Sequence, residues 1–276
     1  LLIYTGGTIG MIENQETGAL EAFNFDQLIE NVPELKRFNY RIDSYQFTPP
    51  IDSSDMEPSL WSKLVKIIYE NYDKFDGFVI LHGTDTMAFT ASALSFMLEN
   101  LSKPVILTGS QLPIGMPRTD AKENLISSVE IAAAKDENGH AIVPEVCICF
   151  DNILMRGNRT SKINSDNFRA FRSENCAPLA EAGINIRYNR SAIIYPQDWG
   201  KRPIFHKELD TRVSILKLHP GITPQVVRSI LCSNGPRAII IETYGAGNAP
   251  SKEWFLNLVK EAASMGKILL NITQCI

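Results

Sequence analysis

The sequence predicts an α/β fold built on a doubly wound parallel sheet, and three observations indicate it. Short, strongly apolar runs recur along the chain, as is typical of strands buried on both faces of a parallel sheet. Segments with helical periodicity separate many of these runs. Two runs, residues 1–4 and 77–81, are followed at once by small residues and hydroxyls. Since ligands bind beyond the carboxyl ends of parallel strands, both segments are expected to point at one crevice.

Eight segments are predicted to be strands because each is a short run dominated by apolar residues. They are residues 1–4, 42–47, 77–81, 104–108, 145–150, 213–218, 237–242 and 267–272. The first five are assigned to the sheet of a larger N-terminal domain. The last three are assigned to a smaller C-terminal α/β domain.

Helices are predicted between several of these strands. Residues 59–73 carry large apolar side chains at every fourth position, namely Leu60, Leu64, Ile68 and Tyr72. The same interval near the end of the chain joins Trp254, Leu258 and Ala262. Residues 88–98 are apolar nearly all round, so a deeply buried helix is expected there.

The alternation breaks where basic residues mix with proline and glycine without a clear period, over residues 187–211. A long structureless stretch is uncommon inside a domain and indicates a linker. We therefore expect an N-terminal domain over 1–188, a linker over 189–211 and a C-terminal domain over 212–276. Both ends of the chain look clipped, and we expect the last domain to continue beyond residue 276.

The composition excludes several classes of protein. The chain has 276 residues, a formal net charge of −4 and no block of like charges, which disfavours nucleic-acid or anionic-membrane binding. An apolar run near 18 residues, as a membrane span requires, is missing. Five cysteines occur without zinc-type spacing, and Cys147 and Cys149 alternate in a predicted strand like core residues. The sequence thus predicts no metal site and a reducing, cytosolic setting.

The first motif is Thr-Gly-Gly-Thr-Ile-Gly at residues 5–10. Glycines after the first strand can let a backbone approach a phosphate, so a nucleotide cradle is one interpretation. The full dinucleotide spacing is missing, and no helical pattern begins directly after the motif. Instead, residues 13–18 are polar and turn-rich, as expected of a mobile flap over a site.

The second motif, residues 82–86, carries Thr84 and Thr86 on either side of Asp85. An aspartate at this position can simply cap the following helix, but capping does not explain the flanking threonines or Gly83. His82 is interpreted as a packing or hydrogen-bonding residue rather than a base.

Two further polar segments follow predicted strands. Residues 52–56, Asp-Ser-Ser-Asp-Met, can either cap the next helix or bind both charges of a zwitterion through hydroxyls and carboxylates. Residues 156–162 carry three cations and can form a solvated basic turn. Lys162 gains a chemical role only if it lies buried near Asp85.

Taken together, the motifs resemble the signatures of the L-asparaginases, and most of all those of the bacterial type I, cytoplasmic enzymes. They are Thr-Gly-Gly-Thr-Ile-Gly at 5–10, Asp-Ser-Ser-Asp-Met at 52–56, His-Gly-Thr-Asp-Thr-Met at 82–87, Thr-Gly-Ser-Gln at 108–111, Arg-Gly-Asn-Arg-Thr-Ser-Lys at 156–162 and Tyr-Gly-Ala-Gly-Asn-Ala-Pro at 244–250. The resemblance covers essentially the whole chain. It implies a larger N-terminal flavodoxin-like domain, a smaller C-terminal α/β domain and a homo-oligomer, either a dimer or a tetramer. It also implies hydrolysis of L-asparagine without metal or cofactor.

The resemblance implies catalytic roles for four residues. Thr8 would be the nucleophile, and Thr84, Asp85 and Lys162 would polarise or deprotonate a hydroxyl or water. A threonine hydroxyl needs a base to become a good nucleophile. Lysine acts as a base near neutral pH only when buried, whereas a neighbouring carboxylate favours its charged form. The sequence therefore leaves open whether the lysine is neutral or relays a proton while charged.

Binding roles follow from the same resemblance. Ser53, Ser54 and Asp85 would hold the α-carboxylate and α-ammonium groups of the substrate, with Thr84 beside them and Asp52 orienting the loop. Backbone N–H groups at Gly7–Thr8 or Gly83–Thr84 are candidates for an oxyanion hole. In relatives a neighbouring subunit completes the site, and Asn248 is the best candidate here. Its alternative interpretation is a turn asparagine in a left-handed conformation.

The chain departs from the family pattern in two places. Many members carry a flap tyrosine that supports the nucleophile, whereas residues 17–20 here are Thr-Gly-Ala-Leu. Some type I enzymes have a regulatory asparagine site, whose pattern Thr273 and Cys275 match. Glu242 stands where regulated members carry an arginine, and a glutamate would repel a substrate carboxylate.

Several alternatives remain beside asparagine hydrolysis. Glutamine is longer by one methylene, a difference that pockets discriminate by only about 1–3 kcal/mol. A glutaminase-asparaginase of mixed specificity is therefore one alternative. Others are the ammonia-producing subunit of a tRNA-dependent amidotransferase, a non-catalytic amino-acid sensor on the same fold, and a nucleotide-binding oxidoreductase.

Overall fold

The computed structural model of the protein describes residues 1–13, 20–22 and 32–275. The chain divides into two compact units, Leu1–Glu208 and Leu209–Ile276. Each unit is an α/β body with its own hydrophobic core. Within the described ranges, no helix combines the length and the hydropathy that crossing a bilayer requires.

The first unit contains most of the elements that the structure describes. Its strands are β1 (Leu2–Tyr4), β2 (Met11–Glu13), β3 (Leu20–Ala22), β4 (Ser44–Gln46), β5 (Phe78–Leu81), β6 (Leu98–Glu99), β7 (Val105–Thr108), β8 (Val146–Phe150), β9 (Ile153–Arg156), β10 (Ser161–Lys162), β11 (Phe171–Arg172), β12 (Ala180–Ala182), β13 (Ile186–Tyr188) and β14 (Ile204–Phe205). Its helices are α1 (Pro58–Asn71), α2 (Met87–Met97) and α3 (Ala121–Ala133).

The central sheet has eight strands in the order β13-β12-β9-β8-β7-β5-β1-β4. Strands β8, β7, β5, β1 and β4 are neighbours in this order and run parallel. Tyr4 lies opposite Leu81, and Leu81 lies opposite Thr108. The carboxyl ends of β1, β5 and β7 therefore lie side by side, as a doubly wound fold requires. This confirms the predicted fold class.

The sheet continues beyond β8 with antiparallel strands that the sequence did not predict. Strand β9 pairs antiparallel with β8, β12 with β9, and β13 with β12. Strands β12 and β13 have only three residues each and are partly exposed. Short edge strands of this kind lack the long apolar run by which the parallel strands were recognised.

The two faces of the sheet bury separate cores. Residues that alternate along a strand point to opposite faces, so Ile3 and Ile80 pack with α1 and α2 on one side. Cys147 and Cys149 pack with α3 on the other side, in agreement with their predicted core position. Helix α3 was not predicted, because its buried face carries polar and small residues, including Asn124, Ser127 and Ser128.

Helix α2 is less completely buried than its sequence suggested. Met87, Leu94 and Met97 are fully buried, but Phe89 and Phe96 are 66% and 67% exposed. Apolar residues thus occupy both the core-facing stripe and a solvent-facing stripe of the same helix.

The segment predicted as a linker over 189–211 lies mostly in the first unit, since the division falls after Glu208. Strand β14 pairs antiparallel with β6, and Ile193 is buried in the core. The guanidinium of Arg156 also donates to the Ala192 carbonyl at 2.6 Å. Isolated contacts of this kind, rather than a repeat of apolar residues, hold the segment against the first unit. Its hydrophobic pattern therefore did not indicate that it packs there.

The second unit contains β15 (Val213–Lys217), α4 (Pro224–Leu231), β16 (Ala238–Thr243), α5 (Glu253–Ser264) and β17 (Ile268–Thr273). Its three strands form a parallel sheet in the order β15-β16-β17. Side chains from both helices and from one face of the sheet form its core. The three strands and the last helix agree with the prediction, whereas the short helix α4 was not predicted.

Candidate active site

Three turns meet at the carboxyl ends of β1 and β5. The backbone N–H and the hydroxyl of Thr5 both donate to the Leu81 carbonyl, at 3.0 and 2.9 Å. The Ile51 N–H donates to the Thr5 carbonyl at 2.7 Å. These bonds join the turns at residues 5–10, 51–56 and 82–86, which carry three of the predicted motifs.

Glycines allow these turns to touch. Gly7 has a φ of +91°, and a Cβ on it would lie 2.5 Å from both the Cα and the N of Gly83. A Cβ on Gly83 would lie 2.5 Å from the Ser53 hydroxyl oxygen. The close approach of the Gly7 and Gly83 backbones, and of Gly83 to the Ser53 side chain, therefore accounts for these two glycines without a bound phosphate. It packs the turn that carries Thr8 against the turn that carries Thr84.

Thr8 opens a short 3-10 helix, Thr8–Gly10, directly after the left-handed Gly7. The Tyr4 side chain contacts the end of this turn, where its hydroxyl donates to the Gly10 carbonyl at 3.0 Å. Burial raises the pKa of Tyr4 to about 12, so the phenol remains a donor. Sequence reasoning assigned Tyr4 to the strand and missed this contact.

Lys162 reaches the second turn from β10. Its Nζ donates to the Thr84 hydroxyl at 2.9 Å and to Asp85 Oδ1 at 2.7 Å. Strand β10 pairs with β11, which places Lys162 opposite Phe171, a residue packed on the core. The condition set for a chemical role of Lys162 was burial near Asp85: the residue lies beside Asp85, and its side chain is partly buried, with 18% exposed.

Asp85 does not cap the helix that follows it. The N-cap of α2 is Thr86, which makes no side-chain cap bond and instead donates its hydroxyl to the Ser53 carbonyl at 2.6 Å. The side chain of Asp85 is 65% exposed. Helix capping, the alternative role that the sequence offered for Asp85, is therefore excluded.

Asp52 organises the neighbouring turn. Its Oδ1 accepts the Ser54 N–H at 2.9 Å and the Ser54 hydroxyl at 2.8 Å, and so caps the 3-10 helix Ser53–Asp55. The backbone hydrogen bond, then the hydroxyl, lowers the pKa of Asp52. Helix α1 begins later, with Glu57 as its N-cap. The motif therefore builds its own turn instead of capping the long helix.

His82 lies behind these turns in the core and is 1% exposed. Its Nδ1 is 2.7 Å from the Gly83 carbonyl, and its Nε2 is 2.9 Å from the Thr90 hydroxyl. Desolvation lowers the pKa of His82 to about 4, so the ring is neutral. As expected from the sequence, it is a hydrogen-bonding residue with no access to a substrate.

The loop after β7 is held by two residues that the sequence reasoning did not single out. The Asp120 carboxylate accepts the N–H groups of Gln111 and Leu112 at 3.0 to 3.2 Å. Asn124 donates to the Gly109 carbonyl at 3.0 Å. The sequence did not indicate these two residues, because both lie at the start of α3, a helix without a clear amphipathic pattern.

The remaining predicted residues lie in the second unit. Asn248 is exposed and pairs with Tyr244 across a turn whose positive φ angles fall on Gly245 and Gly247. Asn248 therefore lies in a turn, as its alternative interpretation expected, but the left-handed positions of that turn are taken by the two glycines. Thr273 donates its hydroxyl to the Gly245 carbonyl and accepts the Cys275 N–H at 3.0 Å.

Glu242 is paired within the same unit, with its Oε2 3.5 Å from the Lys217 Nζ. The predicted flap at residues 13–18 lies almost wholly outside the described residues, which resume at Leu20. The absence of a flap tyrosine at residues 17–20 is a feature of the sequence alone.

Comparison with known proteins covers the whole chain. The family model "Asparaginase, N-terminal" matches residues 1–194, and "Glutaminase/Asparaginase C-terminal domain" matches residues 212–276. L-asparaginase 1 of Escherichia coli (strain K12) is 43% identical over 274 residues, which cover 99% of this chain and 78% of that protein. The crystal structure of L-asparaginase I from Vibrio cholerae superposes with a TM-score of 0.88 at 41% identity, covering 99% of this chain and 80% of that one.

A longer relative is also similar. A Glutamyl-tRNA(Gln) amidotransferase subunit of Pyrococcus abyssi is 33% identical over 290 residues, which cover 100% of this chain and 62% of that protein. Sequence similarity along the chain is thus shared with L-asparaginases and with an amidotransferase subunit.

Proposed function

The chain belongs to the asparaginase family and converts L-asparagine to L-aspartate and ammonia, and we propose that this hydrolysis runs through an acyl-enzyme on Thr8. In the first step the Thr8 hydroxyl oxygen attacks the side-chain amide carbon. The C–N bond then breaks, the leaving nitrogen takes a proton, and ammonia departs from an aspartyl ester. Water attacks that ester, restores the threonine hydroxyl and releases L-aspartate.

The observation that carries this proposal is the contact of Lys162 Nζ with the Thr84 hydroxyl at 2.9 Å and with Asp85 Oδ1 at 2.7 Å. The turn bearing Thr84 packs against the turn bearing Thr8 through Gly83 and Gly7. A hydroxyl bonded to a lysine can pass a proton to or from a reacting oxygen, and such transfer contributes about 10²- to 10⁴-fold to rate.

Substrate binding is assigned to the groups around this pair. Asp85 Oδ1 is engaged by Lys162, and the mostly exposed carboxylate is suited to the α-ammonium group. Ser53 and Ser54 lie on the turn ordered by Asp52, where hydroxyl and N–H groups suit the α-carboxylate. The backbone N–H groups beside Gly7 and Gly83 are the proposed oxyanion donors.

The decisive experiment measures ammonia release from L-asparagine and L-glutamine in parallel. Thr8→Ala and Thr8→Val are expected to abolish release from both, whereas Thr8→Ser keeps a hydroxyl and part of the rate. With hydroxylamine present, the acyl-enzyme should partition to aspartyl hydroxamate. A Thr8→Val variant that retains turnover would refute the assigned nucleophile.

The same assay separates the alternatives. A mixed glutaminase-asparaginase would show kcat/KM values for the two amides within about tenfold of each other, whereas a pocket that discriminates one methylene would separate them by about 10- to 200-fold. An amidotransferase subunit would release ammonia efficiently only with its partner subunit and tRNA. A sensor would raise its melting temperature with asparagine and release no ammonia.

We also assign the protein to the cytoplasm and to a homo-oligomer, a dimer or a tetramer, as the type I resemblance implies. The solvent-facing phenylalanines of α2, Phe89 and Phe96, support an oligomer, because an all-round apolar helix is typical of a fully buried one. Asn248 of a second copy is the proposed contribution to the site. Sedimentation of the wild type and of Phe89→Ser/Phe96→Ser tests the assembly, and a monomeric wild type would contradict it.

A further inference from the structure

A directed chain of hydrogen bonds runs through the core to the Gly83 carbonyl. The Trp61 Nε1–H donates to the Thr90 hydroxyl oxygen at 2.9 Å, and that hydroxyl is 2.9 Å from His82 Nε2. His82 Nδ1 is 2.7 Å from the Gly83 carbonyl oxygen.

Only one arrangement of protons satisfies this chain. A carbonyl oxygen can only accept, so His82 Nδ1 carries the proton. Nε2 of the neutral ring is then an acceptor for the Thr90 hydroxyl. Thr90 in turn has its lone pairs free for the Trp61 N–H. The Gly83 carbonyl therefore fixes the ring tautomer, and Thr90 and Trp61, from helices α2 and α1, hold the ring in the orientation in which Nδ1–H meets that carbonyl.

The direction of that carbonyl also sets the direction of an N–H group. In a trans peptide the C=O and the following N–H point in opposite directions. With the Gly83 carbonyl turned toward the buried His82, the Thr84 N–H points away from the core. Within the part of the chain that the structure describes, the hydrogen bonds include none donated by the Thr84 N–H.

We propose that His82 is a positioning residue for catalysis, which holds the Gly83–Thr84 peptide so that the Thr84 N–H stabilises the oxyanion of the reacting amide. The proposal rests on the proposed hydrolysis and deepens it. His82 touches no substrate, and it acts through the backbone on the turn that carries Thr84 and Asp85. Loss of its Nδ1–H would leave the peptide free to rotate and would lower the rate more than the binding of substrate.

Two substitutions separate positioning from packing. In His82→Asn the side-chain amide lies near the Nδ1 position and still donates to the Gly83 carbonyl. In His82→Gln the amide reaches the Nε2 position, keeps a partner for Thr90 and loses the bond to Gly83. Both variants lose the imidazole ring from the core, so both are expected to melt at lower temperature than the wild type.

Their kinetics should differ. One oxyanion donor is worth about 10²- to 10³-fold in kcat, and partial misorientation should cost about 10- to 100-fold. We therefore expect His82→Gln to lower kcat for L-asparagine by that factor, with KM changed less than about threefold. His82→Asn should keep at least about a third of the wild-type kcat. Equal kcat values for the two variants, or kcat that follows melting temperature alone, would overturn the proposal.

A second pair serves if neither His82 variant folds. Thr90→Val keeps the side-chain volume and removes the hydrogen bond to Nε2, so the imidazole ring is held less firmly against the Gly83 carbonyl, and kcat should fall about three- to tenfold. Thr90→Ser keeps the hydroxyl and should retain the wild-type kcat. An unchanged kcat in Thr90→Val would refute the positioning role.

The Thr8 and His82 variants together distinguish two kinds of failure. If Thr8→Val retains turnover, the proposed mechanism fails. If Thr8→Val is inactive while His82→Gln is fully active, only the positioning role of His82 fails.

Discussion

Lys162 and Asp85 form an ion pair in which one partner is mostly buried and the other faces solvent. The Nζ–Oδ1 distance is 2.7 Å, and the side chains are 18% and 65% exposed, respectively. The lysine is therefore fixed in place by Asp85 and Thr84. The carboxylate keeps most of its surface exposed, which leaves room for the substrate ammonium group that we propose it binds.

Replacing the lysine tests the proton-transfer role. Lys162→Met is expected to lower kcat about 10²- to 10⁴-fold, because the variant removes the group that donates to the Thr84 hydroxyl. Lys103→Met is the matched control, since the Lys103 Nζ bonds to the Phe75 carbonyl, away from the catalytic turns. The control should change stability but leave kcat per folded molecule unaltered. A Lys162→Met enzyme with more than about a tenth of wild-type kcat contradicts the role.

Replacing the aspartate tests ammonium binding. Asp85→Asn is expected to lower kcat/KM for L-asparagine about 10- to 100-fold, because a charge-assisted hydrogen bond is worth roughly 1.5–3 kcal/mol. Succinamic acid has the same amide and carboxylate but no α-ammonium group. Its turnover should be affected less than that of asparagine. Equal losses for the two substrates would assign Asp85 to the lysine alone.

The turn ordered by Asp52 is expected to matter for binding rather than for chemistry. Asp52→Ala removes the acceptor of both Ser54 bonds, and loss of such a cap typically costs about 1 kcal/mol. We expect KM to rise about fivefold with kcat nearly unchanged. Asp52→Asn keeps an acceptor oxygen and serves as the conservative variant. A fall in kcat without a change in KM would place Asp52 in the chemical step.

The contact between the two catalytic turns predicts a strong effect for one glycine. Gly7→Ala requires a left-handed alanine and a Cβ 2.5 Å from the Gly83 backbone, neither of which the turn can relieve. It should destabilise the protein by more than about 1 kcal/mol and abolish most activity. At Gly115 a Cβ meets nothing within 4 Å, so Gly115→Ala is the control and should be neutral. A fully active Gly7→Ala would show that the turns can separate without loss of function.

The buried histidine predicts how stability depends on pH. His82 titrates near 6.5 in an unfolded chain and, with its pKa lowered by burial, at about 4 in the folded protein. Between these values the unfolded state binds more protons, so the free energy of unfolding falls as pH falls. The His82 contribution between pH 7 and pH 5 should be a loss of about 2 kcal/mol.

Urea unfolding of the wild type and of His82→Asn at both pH values measures this loss, since the variant lacks the titrating group. The difference between the two proteins should shrink at pH 5. A parallel decline of both proteins would assign the pH dependence to other groups.

Most strands of the parallel sheets were predictable from short runs rich in apolar residues, and the structure places all eight where the sequence indicated, including the more polar β4. The antiparallel strands β9, β12 and β13 and helix α3 were not. Their stability comes from pairing at a sheet edge and from polar contacts such as those of Asn124, which leave no hydrophobic period. The partial burial of α2 could not be predicted either, since the composition of an apolar helix does not show which of its faces packs on the core.

For the site, the motifs at residues 5–10, 52–56 and 82–86 could be assigned to strand ends from sequence, because small residues and hydroxyls directly follow or precede regular elements. The sequence alone also determined the residue types available for chemistry and, by resemblance, the family and the residues to which it gives roles. It could not decide whether Asp85 caps a helix or binds Lys162, because the two residues are 77 positions apart and meet only when β10 folds back. Nor could it show that Tyr4 and His82 form hydrogen bonds to the turns that carry Thr8 and Thr84. Those roles depend on directed hydrogen bonds of about 3 Å between groups distant in the chain, and only the tertiary structure sets such distances.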